Sequence, residues 1–189
     1  MTRTFPDMAI IGAAGESLVL SHLLRLNYVA GLAPYNTRDY DLIILNENEN
    51  IAKSIQVKSA LYTQEIKTTD LKWILKSKHE TAVPNLIFFF VNMSMQTSKN
   101  EIYIMDSEKV AHVTKMSHQI YLKLPGMKGQ PHKDSPMRIL SSNYENSVTN
   151  KNNRDKLNEF LTKTELEFLN EYSDGWMDQY LDNWKILDK

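Results

Sequence analysis

No cysteine occurs in the 189 residues, so disulfides and thiolate metal sites are excluded and nothing calls for an oxidising compartment. Glycine and proline are scarce, six of each, and half the prolines (Pro125, Pro131 and Pro136) fall in one short stretch. Internal repeats are absent, and no low-complexity tract occurs beyond an asparagine-rich stretch. Residues 1–7 lead into an apolar run interrupted by Gly12, Gly15 and Glu16, which fits neither a signal peptide nor a membrane span. A cytoplasmic protein with no membrane partner is expected. Positive charge is not in excess either. Lys+Arg number 22 against 23 Asp+Glu, so no basic field covers the whole molecule.

What is present is the composition of a folded domain. The chain is 42% hydrophobic and 24% charged, enough apolar material for a real core. Its length suits one domain with an appendage. The charge is unevenly spread. Residues 150–189 hold 6 Lys+Arg and 9 Asp+Glu, a net of −3, whereas 115–138 carries Lys115, Lys123, Lys128, Lys133 and Arg138 against Asp134 alone. A concentrated basic segment therefore precedes an acidic tail.

Periodicity predicts a helix over about 8–28, with Val19, Leu20, Leu23 and Leu24 on one face. Strands are expected at 40–45 and 51–58, joined as a hairpin by the polar stretch 46–50. The continuous apolar run 86–91 reads as a strand covered on both faces. A strand at 101–106, a short helix capped by Ser107 and reaching about Lys115, and a further strand at 119–124 follow. Three prolines and two glycines forbid regular structure through most of 125–138. After an asparagine-rich stretch, 141–153, the tail reads as two amphipathic helices. One carries Leu157, Phe160, Leu161, Phe168 and Tyr172; the other carries Trp176, Tyr180, Trp184 and Leu187. Helix, strand pair, then alternating elements point to an α/β core with a mixed sheet.

Four polar residues occupy positions that a purely structural chain rarely fills in this way. Glu16 lies on the helix stripe expected to face the sheet, where a carboxylate needs a partner. Asp41 opens one strand of the hairpin. Gln56 and Lys58 are two apart on the other, so both point to one face. Hairpin pairing brings Asp41 beside them. A hard cation would find oxygen donors in the Asp41 carboxylate, the Gln56 amide and the Val57 backbone carbonyl. Lys58 can orient water or offset developing negative charge, and Glu16 can hold a water or a second ion from the opposite layer. The arrangement suits phosphodiester hydrolysis. Each residue also has a plainer reading. Glu16 can be a helix N-terminal acid favoured by the macrodipole. Lys58 can be a solvated strand-end lysine, and Asp39 shares the face of Asp41 but is better placed as the end of a loop. Lys128, Gly129 (through its amide), His132, Lys133 and Arg138, with Arg38 as a further candidate, are the residues that could hold phosphate. The tail aromatics Trp176, Tyr180 and Trp184 read as packing, within the core or between two copies.

Gly12-Ala-Ala-Gly-Glu16, Tyr40-Asp41-Leu-Ile-Ile and Ile55-Gln-Val-Lys-Ser59 together resemble the PD-(D/E)xK nuclease superfamily. Gly126-Met-Lys-Gly-Gln-Pro-His-Lys-Asp134, with the preceding segment 103–110, is similar to a GKKGQPHKD-like loop of small bacterial members. The resemblance implies a restriction-endonuclease-like α/β core over 1–140, with a mixed central sheet flanked by helices. A linker at 141–153 and a helical C-terminal extension at 154–189 complete that reading. It further implies Mg²⁺ or Mn²⁺ as cofactor, Asp41, Gln56 and Lys58 as the metal and catalytic set, and endonuclease action on nucleic acid, DNA being favoured. The C-terminal helices could mediate a homodimer or hold another partner. Two departures stand out: Tyr40 occupies the motif's proline position, and Gln56 replaces the usual acid, which keeps an oxygen ligand but removes a negative charge.

Overall fold

The computed structural model describes residues 7–34, 37, 39–46, 51–62, 71–94, 99–150 and 152–188. In chain order the elements are α1 (Met8–Arg25), β1 (Val29–Leu32), β2 (Leu42–Asn46), β3 (Ile51–Tyr62), β4 (Lys72–Lys76), β5 (Leu86–Ser94) and β6 (Glu101–Asp106). There follow α2 (Ser107–Lys123), β7 (Met137–Ser141), α3 (Tyr144–Val148), α4 (Leu157–Phe160) and α5 (Lys163–Glu171). Short 3₁₀ turns occupy Ser77–Glu80, Arg154–Lys156, Asp178–Tyr180 and Trp184–Asp188. The chain forms two compact units. The first draws on residues 1–65, 83–107 and 180–189, the second on 66–82 and 108–179.

The first unit is a mixed α/β layer. Its five strands run in the order β1-β2-β3-β5-β6. The β3–β5 pair is parallel and the others are antiparallel. The expected hairpin is present as β2–β3, in register from Leu42↔Ile55 to Asn46↔Ile51; its turn, 47–50, lies outside the described residues. Leu86 through Val91 are all buried, as a continuous apolar run predicts for a strand covered on both faces.

Leu42, Ile44, Ile55, Val57, Phe89 and Val91 gather in one apolar cluster, into which α1 buries Ile11, Val19 and Leu23. The buried stripe of α1 has a strict spacing of four and includes Gly15. Leu24, expected on that stripe, is 54% exposed. Asp7 caps the helix by accepting from the Ala9 N–H at 3.3 Å. Among the described residues α1 alone is long and apolar enough to cross a membrane by length and composition. Its buried stripe accounts for part of that apolarity.

The last residues complete this core. Leu187 is fully buried in the cluster, and Trp184 stacks on His22 with centroids 5.5 Å apart and lies 5.7 Å from Phe89. The buried Lys53 ammonium donates to the Leu187 carbonyl at 2.7 Å, and the Tyr28 hydroxyl donates to Asp188 at 2.6 Å. No second tail helix forms. Tyr180 and Leu187 instead lie in two separate 3₁₀ turns.

The second unit contains β4 and β7, paired antiparallel from Lys72↔Ser141 to Lys76↔Met137. Neither strand is expected from the sequence, which assigns 125–138 to irregular structure. That assignment holds only as far as Pro136. The segment 119–124 is not a strand: Ser107–Lys123 is one helix of 17 residues. Ser107 is the first residue of that helix, and its hydroxyl accepts from the Val83 N–H at 2.9 Å and donates to the Val83 carbonyl at 2.6 Å. Tyr144, Phe168, Tyr172 and Trp176 form an aromatic cluster with centroids 4.5–6.0 Å apart. The Trp176 indole N–H donates to the Ser141 carbonyl at 3.0 Å. The asparagines of 141–153 hold local structure together. Asn143 caps α3 by accepting from the Asn146 N–H, and the fully buried Asn153 accepts from the Asn150 N–H and donates to the Pro125 carbonyl.

Candidate functional site

The β2–β3 register sets the site. Leu42 faces Ile55, so Asp41, one residue earlier, stands opposite Gln56. Two hydrogen bonds fix it there. The Asp41 N–H donates to the Ile55 carbonyl at 2.7 Å, and its Oδ2 accepts from the Val57 N–H at 2.7 Å. The carboxylate thus brackets Gln56 from across the hairpin. In an extended strand the N–H and C=O of one residue leave by the same edge, so the Val57 carbonyl also faces the Asp41 side.

Gln56 is 6% exposed, and its Oε1 has no hydrogen-bond partner. A buried amide oxygen left unpaired costs about 1–3 kcal/mol. Lys58, two residues on, is half-buried on the same face. Glu16 is half-buried on α1. Burial raises its carboxyl above the ordinary carboxylate range, the Asp41 charge raises it further, and the Lys58 ammonium pulls partly the other way. Glu16 therefore lies within electrostatic reach of both Asp41 and Lys58.

What holds α1 this close is Gly15. A Cβ built there would meet Ser59 Oγ at 1.8 Å and Ser59 Cβ at 2.9 Å, so only glycine permits the contact. The Ser59 hydroxyl is itself buried without a partner. Neither residue's role was visible beforehand, beyond the glycine immediately preceding Glu16.

No cluster of three or more His, Asp or Glu side chains suited to a metal occurs among the described residues. The donor set is of another kind: two carboxylates, one unpartnered amide oxygen and a backbone carbonyl. All are hard oxygen donors, the kind that suits a cation such as Mg²⁺ or Mn²⁺.

The phosphate-binding candidates lie in the second unit or outside the described residues. Arg38 is among the latter. Asp39 is exposed, while Asp41 carries the bonds to β3. Lys128 and Lys133 are exposed on the loop between α2 and β7. The Gly129 N–H donates to the Gly126 carbonyl at 2.9 Å, with Gly129 at φ +79°, so the turn itself uses that amide. His132 stacks on Tyr121 at 3.9 Å, and its Nδ1 is bonded to the Tyr121 carbonyl. Arg138 is 6% exposed and occupied internally. Its Nε binds Glu80, and its Nη1 reaches Asp134 and the Ser135 and Met137 carbonyls. It braces the loop and is not held out as a phosphate hook.

No family model and no curated protein matches the chain. Among solved structures, the chain is similar to a bacterial homing endonuclease, with a TM-score of 0.40 and 14% identity over 56% of this chain and 70% of that one. It is similar also to Hjc, a Holliday junction resolvase from Archaeoglobus fulgidus, with a TM-score of 0.38 and 10% identity over 80% of this chain and 98% of that one. Likenesses this faint fix no family.

Proposed function

We propose that the first unit is a restriction-endonuclease-like core carrying a divalent-metal-dependent site that hydrolyses nucleic-acid phosphodiester bonds, with DNA the favoured substrate. One observation carries the reading. Gln56 presents a buried oxygen with no protein partner, directly across the hairpin from a carboxylate that the backbone holds in place. Such an atom is costly unless something fills its coordination, and a hard cation does so.

Asp41, Gln56 Oε1 and the Val57 carbonyl would hold the ion, with Glu16 available from the helix side. A bound Mg²⁺ or Mn²⁺ supplies Lewis-acid polarisation of a phosphate oxygen and acidifies water at the site. The chain's own residues do the rest. The Asp41–Val57 bond fixes the hairpin edge against which a phosphate would sit. The Lys58 ammonium, on the face of Gln56, stabilises the charge that builds on phosphate oxygens during attack. Glu16, with its raised affinity for a proton, suits the holding of water and the acceptance of its proton. Lys128 and Lys133 offer exposed ammonium groups that add sequence-independent attraction to a nucleic-acid backbone.

The test is cleavage. Plasmid or oligonucleotide loss should require Mg²⁺ or Mn²⁺, stop in EDTA, and fall about 10²–10³-fold in Lys58→Ala. Intact substrate after prolonged incubation with both metals would remove the hydrolytic reading. A second reading is favoured by Gln56 itself, which supplies one charge fewer than an acid would. On that reading the fold binds nucleic acid without cutting it. Salt-sensitive retention of DNA that Lys128→Ala and Lys133→Ala weaken, with no product formed, would select it.

A further inference from the structure

The second unit carries a half-open cavity of about 130 Å³ that neither the carboxylate site nor the exposed lysines use. We propose that it is a binding pocket for one pyrimidine ring, taken as a base or a nucleoside.

Size decides first. An engineered apolar cavity of roughly 150 Å³ in another protein accepts a benzene ring. A space of about 130 Å³, open to solvent on one side, therefore holds a single six-membered ring between its walls, whereas a fused purine would project out of it. The walls suit a planar ring as well. Tyr121, Tyr144, Ile139 and Val148 line the cavity alongside Arg138 and His118. The Tyr121 ring is held in place from outside the cavity lining. His132 stacks on it at an interplanar angle of 6° and is bonded through Nδ1 to the Tyr121 carbonyl at 2.8 Å. Tyr144 is fixed by its hydroxyl, which donates to the Ile139 carbonyl at 3.3 Å.

Charge decides next between a ring and an anion. The Arg138 guanidinium is the strong donor in the wall, but it is already matched by Glu80 and Asp134. Asp134 is shared with His118, whose Nε2 lies 2.8 Å from its Oδ1. One guanidinium against two carboxylates leaves these groups at −1 with His118 neutral and at zero with it protonated. A phosphate gains no net attraction there. A neutral ligand bearing carbonyl acceptors does gain. Arg138 Nη2 takes no part in the bonds that hold Nε and Nη1, and the lining also includes Ser147, whereas the Ser117 hydroxyl already donates to the Thr114 carbonyl at 3.1 Å. Pyrimidine O2 and O4 are acceptors of the right kind for a fixed guanidinium and a hydroxyl. Among single-ring heterocycles, the choice of a nucleobase rests on the nuclease reading; size and charge stand without it.

The experiment titrates the full-length chain with uridine, thymidine, cytidine, adenosine and guanosine, followed by calorimetry and by proton NMR of the aromatic side chains. Saturable binding of pyrimidine nucleosides is expected, with purine nucleosides at least tenfold weaker and with shifts at the Tyr121 and His118 rings. Met137→Trp, at an exposed lining position, and Ser147→Leu, which fills the space, should each weaken pyrimidine binding at least tenfold. Failure of every pyrimidine to saturate overturns the proposal. So does equal binding of purines, ring shifts confined to other residues of the wild-type chain, or unchanged affinity in a folded variant. Cleavage without nucleoside binding removes the pocket and leaves the nuclease reading standing. Nucleoside binding without cleavage does the reverse.

Discussion

At the scale of single residues, the site rests on two positions that a stability criterion alone would not choose. Gln56 keeps a buried acceptor unpaired, and Gly15 gives up helix propensity so that α1 can touch β3 over Ser59. Gly15→Ala should therefore cost about 1–3 kcal/mol in urea unfolding, because a methyl group placed 1.8 Å from Ser59 Oγ forces the helix away. It should also lower activity by displacing Glu16. No loss of stability would show that the helix can shift freely. Glu16 carries a second prediction. Its folded carboxyl titrates above the unfolded value of 4.5, so between those two values the native state binds the extra proton. Without divalent metal, stability should fall as pH rises through that window and stay lower above it. Glu16→Gln should abolish the fall, as thermal melts across acidic pH in EDTA would show. Asp41 facing Gln56, and Gln56 sharing a face with Lys58, were legible because a hairpin and a period of two fix both. Arg138 was not. Its partner Glu80 lies 58 positions away, and a basic residue in a basic segment gives no sign that it is internally matched.

At the scale of elements, the sequence misleads where a pattern is mixed or a pairing is distant. Residues 119–124 look like a strand when taken alone. The helix wins because Val110, Val113, Ser117, Ile120 and Leu124 continue one buried stripe at spacings of three and four, a stripe in which Ser117 masks the apolar count. The strands β4 and β7 are five residues each and meet only across some sixty intervening positions, a pairing that no local signal announces. The closing 3₁₀ turn of the first unit is fastened differently from its expected helix, through Tyr28 and Asp188. Burial, then the Asp188 carboxylate, pushes the Tyr28 hydroxyl from 10.0 up to about 12. The unfolded chain thus loses this proton first, and stability should decline between pH 10 and about 12. Tyr28→Phe should remove that alkaline decline and cost about 1 kcal/mol near neutrality, the worth of one hydrogen bond. An unchanged alkaline profile in the variant would show that Asp188 does not hold the hydroxyl.

At the scale of the whole molecule, the division of the chain departs from its order. Residues 180–189 belong with 1–65 and 83–107, while 108–179 form the second unit with 66–82. A periodic reading of the tail could not see this, since Trp176 and Leu187 share an apolar character but are buried in different units. Leu187→Ala should consequently destabilise the first unit by about 3 kcal/mol, measured by denaturant unfolding, although it lies near the C-terminus. A negligible change would mean that the last turn is dispensable to that core. The most direct test of the central claim is a Mn²⁺ soak of crystals read by anomalous diffraction. The expected result is a peak about 2.0–2.6 Å from both Gln56 Oε1 and an Asp41 carboxylate oxygen, with the Val57 carbonyl in the same shell. A map with no peak near either residue, and with Gln56 Oε1 accepting from a protein donor, would contradict it.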